Sequence, residues 1–538
     1  MQSGMKAECR RNGGRGQGCG PLGGAGLSPL MYHARVPRPP DQPWPIVVAI
    51  ALAAMALRAL AFSGTELYSD EAYYWLWSLR PATGYFDHPP LVAWLVAAGA
   101  PLARGELGVR LFFLLSGGLT VIFAALLARE LVESEDAPAL HPERNPVGVP
   151  REASRTVVHA ALLAAAAPLM NIVGGMALPD APLAAAYTAG LWLLARARGR
   201  RWVWAGLAVG LALLAKYTAA LLAPALILVL FWDGGLRREL RTPWPWLGAL
   251  VAVALFAPCL LWNARHDWVS IRFQLGHGFA RNATLRSVLE YVAGQIAGLG
   301  PVPLLLGIPF LARARTSAEK RVAAGALLPL AVTTWSAMRG KVEANWPSMA
   351  YPALCAAAAV WLAQARPAMA RALVGTSAAL AVGCLAVFGV EQRHPRLLAG
   401  TEAIARFHGW RAMAAEARTI ARSACARAGC NLEQPFLVCA NYQYAAELAY
   451  YGGFRRLGPT VERASQFDLW DERPAPDEPL LFVGFRRPRD GDLRLLRAEG
   501  EQATERLSIA HQGVRLRDLS VTPFGRYAGT PQAARSNP

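Results

Sequence analysis

Charge is scarce in this sequence. Only 17% of its 538 residues are Asp, Glu, Lys or Arg, against about a quarter in soluble domains. With 54% apolar residues and a mean hydropathy of +0.25, that deficit excludes an ordinary soluble domain and points to a membrane. The formal net charge is +18, yet no basic stripe with interleaved aromatics occurs, which argues against nucleic acid as a partner. Zinc-type cysteine spacing is absent too. Of eight Cys, Cys259, Cys355 and Cys384 lie in apolar runs and read as small core residues. Cys425, Cys430 and Cys439 could include one disulfide if the last segment is exported. No cleavable signal is evident, because the first apolar run is long enough to stay as a span. Gly18-x-Gly20-x-x-Gly23 nominally matches a dinucleotide fingerprint, but no strand precedes it and no helix follows. Residues 1–43 therefore read as a disordered Gly/Arg/Pro-rich tail, within which Met31 could be the true start.

Long apolar runs are what this chain has instead. About eleven recur, near 44–63, 107–128, 156–174, 181–197, 202–215, 219–233, 244–263, 289–312, 321–338, 348–364 and 370–390. Gly206-x-x-x-Gly210 and Gly294-x-x-x-Gly298 suit close helix packing. The connections alternate in charge. Arg196, Arg198, Arg200 and Arg201, then Arg237, Arg238 and Arg241, then Arg313, Arg315, Lys320 and Arg321, then Arg366 and Arg371, mark one face. By the positive-inside rule that face and the N-terminus are cytoplasmic, and an odd number of spans exports the C-terminal segment.

The expected fold is mainly α: a polytopic helical bundle over 44–390, followed over 391–538 by a small soluble α/β domain. In that last segment long apolar runs stop, β-like stretches occur at Phe436–Cys439 and Leu480–Phe485, and Tyr442–Tyr451 looks helical. The tail frays from about Gly529.

Residues able to do chemistry collect in the outward connections. Tyr68-Ser-Asp-Glu-Ala-Tyr-Tyr places Asp70 and Glu71 just after the first span, and Tyr85-Phe-Asp-His-Pro-Pro adds Asp87 and His88. Two acidic clusters and an imidazole could deprotonate a hydroxyl or hold a divalent metal through Asp70, Asp87 and His88. The plain alternative is helix capping: Ser69 or Asp70 for a helix over Glu71–Leu79, and Asp87 for one over Leu91–Ala98, both lying along the membrane surface. Asp180 likewise reads as a cap. Lys216 and Tyr217 interrupt an apolar hairpin, where a lysine needs an anionic partner or a route to water. Arg265, His266 and Asp267 lie between Trp262 and Trp268, and Arg339, Lys341, Glu343 and Asn345 precede Trp346. Such cations can bind phosphate, and interfacial Trp can equally be an anchor.

The first loop resembles the Asp-Glu loop of GT-C superfamily glycosyltransferases, in the bacterial family 39 branch related to protein O-mannosyltransferases and lipid A aminoarabinose transferases. Leu178-Pro-Asp-Ala-Pro, Leu214-Ala-Lys-Tyr-Thr, Leu261-Trp-Asn-Ala-Arg-His-Asp-Trp and Val342-Glu-Ala-Asn-Trp-Pro follow in the expected order, and the stretches from Asn441 and from Ser465 are similar to the same branch. The resemblance implies inverting transfer of a sugar from a polyprenyl-phosphate carrier to an envelope acceptor on the periplasmic side of the inner membrane. That acceptor would be lipid A, lipopolysaccharide, another glycolipid or protein. It implies Asp70 as general base with Glu71 in support. Lys216, Arg265, His266 and Lys341 would meet donor or product phosphate, with Asp87, Tyr217, Glu343 and Asn345 beside them. His88 stands where the aminoarabinose transferases have Lys, so no permanent charge is expected there. No cofactor is required, though a divalent ion stays open. A transporter or flippase of lipid-linked or small polar substrates is the alternative; it predicts ionisable residues near mid-membrane, for which Arg58 is the clearest candidate, and internal repeats, whereas the second half does not repeat the first.

Overall fold

The computed structural model describes residues 42–133, 149–278, 284–428, 435–489, 491–492 and 498–528. Gly18, Gly20, Gly23, Met31, Cys430 and the stretch from Gly529 lie outside them.

Helices dominate, in chain order α1 (Trp44–Phe62), α2 (Ser69–Ser78), α3 (Leu91–Gly99), α4 (Gly105–Val132), α5 (Val149–Ala166), α6 (Pro168–Val173), α7 (Asp180–Ala195), α8 (Arg201–Ala215), α9 (Leu222–Val229), α10 (Gly234–Glu239), α11 (Pro243–Arg265) and α12 (Val269–Gly278). There follow α13 (Leu285–Leu299), α14 (Ile308–Ala312), α15 (Ser317–Ala337), α16 (Tyr351–Ala363), α17 (Pro367–Arg393), α18 (Glu402–Ala405), α19 (Trp410–Ala428), α20 (Tyr442–Gly452) and α21 (Gln466–Trp470). Every one of the apolar runs read from the sequence falls on a helix. Four helices among the described residues, α1, α4, α11 and α17, are long and apolar enough to cross a bilayer, and α13 with Pro303–Ala312 makes a fifth if that pair, bent by 97°, is one span. Apart from the 21-residue α15, the remaining runs form shorter helices bounded by proline: Pro168 opens α6 and Pro179 precedes α7. The chain is a multi-pass membrane protein.

Small residues set the helix spacing. Gly206 of α8 lies against the backbone of Gly248 in α11, and Gly210 against Ala252 and Leu255, so any side chain there would collide. Gly294 similarly faces Ala344, and Gly298 faces Leu169. The Arg-rich connections meet at one end of the bundle. There Arg201 and Arg196 pair with Glu130 at 2.7 and 3.3 Å, and Arg321 reaches Asp233 at 2.9 Å and the Leu194 carbonyl at 3.1 Å. The N-termini of α4 and α7 and the C-terminus of α8 lie at the other end, with α2 and α3.

Beyond α17 a five-stranded sheet forms from β1 (Phe436–Cys439), β2 (Leu480–Gly484), β3 (Ala498–Glu501), β4 (Glu505–His511) and β5 (Val514–Tyr527). β1 and β2 are parallel; β5 runs antiparallel to β2, β3 and β4. In the hairpin of β4 and β5, Leu507 and Ile509 of β4, and Val514 and Leu516 of β5, alternate with other residues, a strand signal absent from the expected elements. Cys259, Cys355 and Cys439 are buried free thiols, and Cys425 is buried.

One apolar cluster joins the two regions. It runs from Tyr73, Trp77 and Val96 of α2 and α3 to Met413 of α19, Leu448 of α20 and Leu481 of β2, all nearly inaccessible to solvent. Thus α2 and α3 do not merely rest on a membrane surface. They are sandwiched inside the protein, with Trp77 stacked on Tyr85 at 4.5 Å between ring centroids.

Candidate active site at the end of the bundle

Asp70 and Glu71 are neighbours with opposite surroundings, because successive helical side chains point about 100° apart. Glu71 faces inward and has no exposed surface. Its Oε1 accepts from Arg110 Nε and Ala177 N, both at 2.8 Å; its Oε2 accepts from Arg110 Nη2 at 2.6 Å and Tyr68 N at 2.9 Å. Arg110 continues to Thr65 Oγ1 and the carbonyls of Phe62 and Glu66. Glu71 therefore clamps the end of α1, the start of α2, α4 and the turn before α7. Four donors occupy its carboxylate, and it holds the segment that carries Asp70 in place. It also caps α2, in place of Ser69 or Asp70.

Asp70 faces the cleft and is half-buried. Its Oδ1 accepts the Tyr442 hydroxyl at 2.9 Å. Burial pushes its carboxyl up to about 6; the Tyr442 hydrogen bond opposes that rise, the nearby Asp87 carboxylate adds to it, and Arg463 and Arg406 counter it.

Asp87 does not cap α3, whose start has no side-chain cap. Instead its Oδ1 meets Arg463 Nη2 at 3.0 Å, and its carbonyl accepts from Gln274 Nε2 of α12 at 2.6 Å. Arg463 stacks over Tyr442 at 4.3 Å and Phe273 at 5.1 Å. The His88 imidazole, edge-on to Tyr74 at 6.0 Å, is driven down to about 3 by burial and then by Lys216 and Arg463. It is neutral at physiological pH. No three His, Cys, Asp or Glu among the described residues gather into a metal cage. With Asp87 turned to Arg463, the set Asp70, Asp87 and His88 does not compose a metal site as placed.

Lys216 ends α8 and points back into the bundle, where its Nζ meets Asp180 Oδ1 at 2.9 Å. Asp180 is 2% exposed and also accepts from Ser348 Oγ at 3.2 Å and Asn345 Nδ2 at 3.1 Å. The cap reading of Asp180 fails: it makes no cap bond to α7 and serves as the anionic partner that a lysine at this depth needs. Tyr217 accepts from Asn263 Nδ2 at 3.1 Å.

The remaining expected cations are not drawn into this cluster. Arg265 is exposed; His266 stacks on Trp262 at 4.1 Å and bonds its carbonyl through Nδ1. Asp267 and Trp268 hold the following turn at φ 52° and 58°, an uncommon conformation for such residues. Lys341 pairs with Glu343 at 3.1 Å, both largely in solvent. What sequence reasoning left out is the contribution of the C-terminal region: Tyr442, Arg463 and Gln466, whose amide nitrogen bonds Tyr73 Oη at 2.7 Å and whose Oε1 accepts from Phe86 N at 2.8 Å. Their neighbourhoods, at Asn441 and Ser465, carried the only available signal.

A sequence profile described as Dolichyl-phosphate-mannose-protein mannosyltransferase matches residues 151–262, which carry Asp180, Lys216 and Tyr217. Lipid A galacturonosyltransferase RgtD of Rhizobium johnstonii is 27% identical over 315 residues, 56% of this chain. The chain aligns with 62% of that relative's length. Crystal structures of ArnT from Cupriavidus metallidurans, in the apo state and bound to undecaprenyl phosphate, match with TM-scores of 0.59 and 0.57 at 18% identity, covering 91% of this chain and 99% of theirs. At that identity the likeness concerns the fold, and it extends over both bundle and sheet. Profile, relative and fold agree in direction: the chain is similar to protein mannosyltransferases over residues 151–262, to a lipid A galacturonosyltransferase over 56% of its length, and to ArnT in fold.

Proposed function

We propose that this chain is an inverting glycosyltransferase that moves a sugar from a polyprenyl-phosphate donor to lipid A or a related envelope glycolipid, on the periplasmic face of the inner membrane. The observation that carries the reading is Asp70: a half-buried carboxylate with a raised pKa, oriented by Tyr442 and flanked by cations at the mouth of the bundle.

Asp70 takes the proton of the acceptor hydroxyl as its oxygen attacks the anomeric carbon from the face opposite the phosphate. The carbon–oxygen bond to phosphate breaks with its electron pair leaving on the phosphate, so the anomeric centre inverts and no acid is needed at the leaving group. Lys216 and Arg463, each beside a carboxylate in the cluster, and the more exposed Arg265 and Lys341 outside it are the cations offered to donor and departing lipid phosphate. The periplasmic orientation is supported by the segregation of Arg-rich connections to the opposite end. The lipid A acceptor is supported by the name of the galacturonosyltransferase relative, and the carrier by the undecaprenyl phosphate in the ArnT complex. The transporter alternative draws no comparable support, since the ionisable groups of the cluster lie at one end.

Mass spectrometry of envelope lipids tests this. A deletion strain should yield lipid A lighter by one sugar, restored by the wild-type gene and not by Asp70→Asn. An unchanged lipid A profile would overturn the acceptor, and full restoration by Asp70→Asn would overturn the role of Asp70.

A further inference from the structure

Arg58 is the one strongly charged side chain inside α1, and it is 1% exposed. Its Nε donates to Asn171 Oδ1 at 2.9 Å, a neutral amide. Nη1 has no hydrogen-bond partner among the described residues, and no carboxylate there forms an ion pair with this guanidinium. A guanidinium does not escape by deprotonating, and an uncompensated charge inside a bundle is expensive.

Two glycines let the surrounding helices close on this group. A Cβ on Gly117 of α4 would lie 2.5 Å from Nη1, and one on Gly174 would lie 3.1 Å away. Between them is a small cavity lined by Arg58, Gly117, Thr120, Met170, Gly174 and Ala181, without an acidic side chain. It has room for about one water-sized sphere. Thr120 is turned elsewhere, its hydroxyl donating to the Ser116 carbonyl at 2.9 Å.

We propose that this cavity binds a small monovalent inorganic anion, chloride in ordinary buffers, as the counter-ion of Arg58. A water there would satisfy one N–H and leave the charge; a halide does both. The flexible thioether wall of Met170 can yield to the slightly larger radius of chloride. The site is structural and separate from Asp70, so it stands or falls independently of sugar transfer.

Full-length protein purified in detergent should melt roughly 2–4 °C lower when chloride is replaced by gluconate at equal ionic strength, since an ion that binds only the folded state stabilises it. Arg58→Met should abolish that difference. Crystals grown in bromide should show an anomalous peak in contact with Nη1. Equal melting in both salts for the wild type, an empty bromide map at Nη1, or a salt difference that persists in Arg58→Met would each overturn the site. The two wild-type measurements decide the matter even if the variant fails to accumulate.

Discussion

Tyr442 donates its phenolic hydrogen to Asp70 Oδ1 at 2.9 Å, across 372 positions of sequence. The contact ties the first helix outside the membrane to the region that follows the last span. It also opposes the upward push that burial gives the Asp70 carboxyl.

A base must be unprotonated to work, so transfer should rise with pH through about 6, the value to which Asp70 is raised. Tyr442→Phe removes a hydrogen bond that holds that value down. Its acidic limb should therefore move to higher pH, with a loss of kcat/KM at pH 7. Profiles of kcat/KM between pH 5 and 8 check this, and a limb that stays in place or moves down would contradict it.

Asp70 and Glu71 should fail differently when neutralised. Asp70→Asn should lower turnover by about 10²–10⁴-fold with little change in melting temperature. Glu71→Gln deprives Arg110 of its charge partner where the two side chains are 0% and 4% exposed. Breaking such a pair costs about 3–5 kcal/mol, so the variant should accumulate poorly and melt early. Turnover assays beside thermal denaturation separate the two; a stable, inactive Glu71→Gln would return that residue to the chemistry.

Among the described residues, Lys216→Met leaves Asp180 with Asn345 and Ser348. A loss of about 3–5 kcal/mol is expected, as for other broken buried pairs. Lys216→Met combined with Asp180→Asn should recover part of it, and a double-mutant cycle measures the coupling. Strict additivity would mean the two charges do not sense each other.

Glu447 is fully buried on α20, and neither of its carboxyl oxygens finds a hydrogen-bond partner among the described residues. Burial, then the nearby Glu66, raises its pKa well above the ordinary value. Folded protein thus holds a proton that the unfolded chain releases above about pH 4.3. The associated stability is complete below that pH and falls as pH rises toward the folded-state pKa. Glu447→Gln, which needs no proton, should melt with a flatter pH dependence between pH 5 and 8 and gain on the wild type toward the alkaline end. Parallel slopes would show that Glu447 is ionised in the folded state.

Much of this was legible without coordinates. The apolar runs that became helices, the strands at Phe436–Cys439 and Leu480–Gly484, and the helix starting at Tyr442 announce themselves through residues adjacent in sequence. The importance of the first loop was legible too, since acids just after a span are costly and conspicuous. The division of labour inside it was not. Asp70 and Glu71 are chemically alike, and only the position of Arg110, 39 residues on, buries one and frees the other. The cap readings of Asp180 and Asp87 failed for the same reason: their partners Lys216 and Arg463 lie 36 and 376 residues away.

The sequence by itself determined a multi-pass helical protein with Arg-rich connections on one face and acids on the other, because hydropathy and charge are local and additive along the chain. Tertiary structure alone decided which acid faces the cleft, which cations are already neutralised, and that Tyr442 and Arg463 belong to the cluster. Those outcomes depend on distances of a few ångströms between remote segments, and only packing sets such distances.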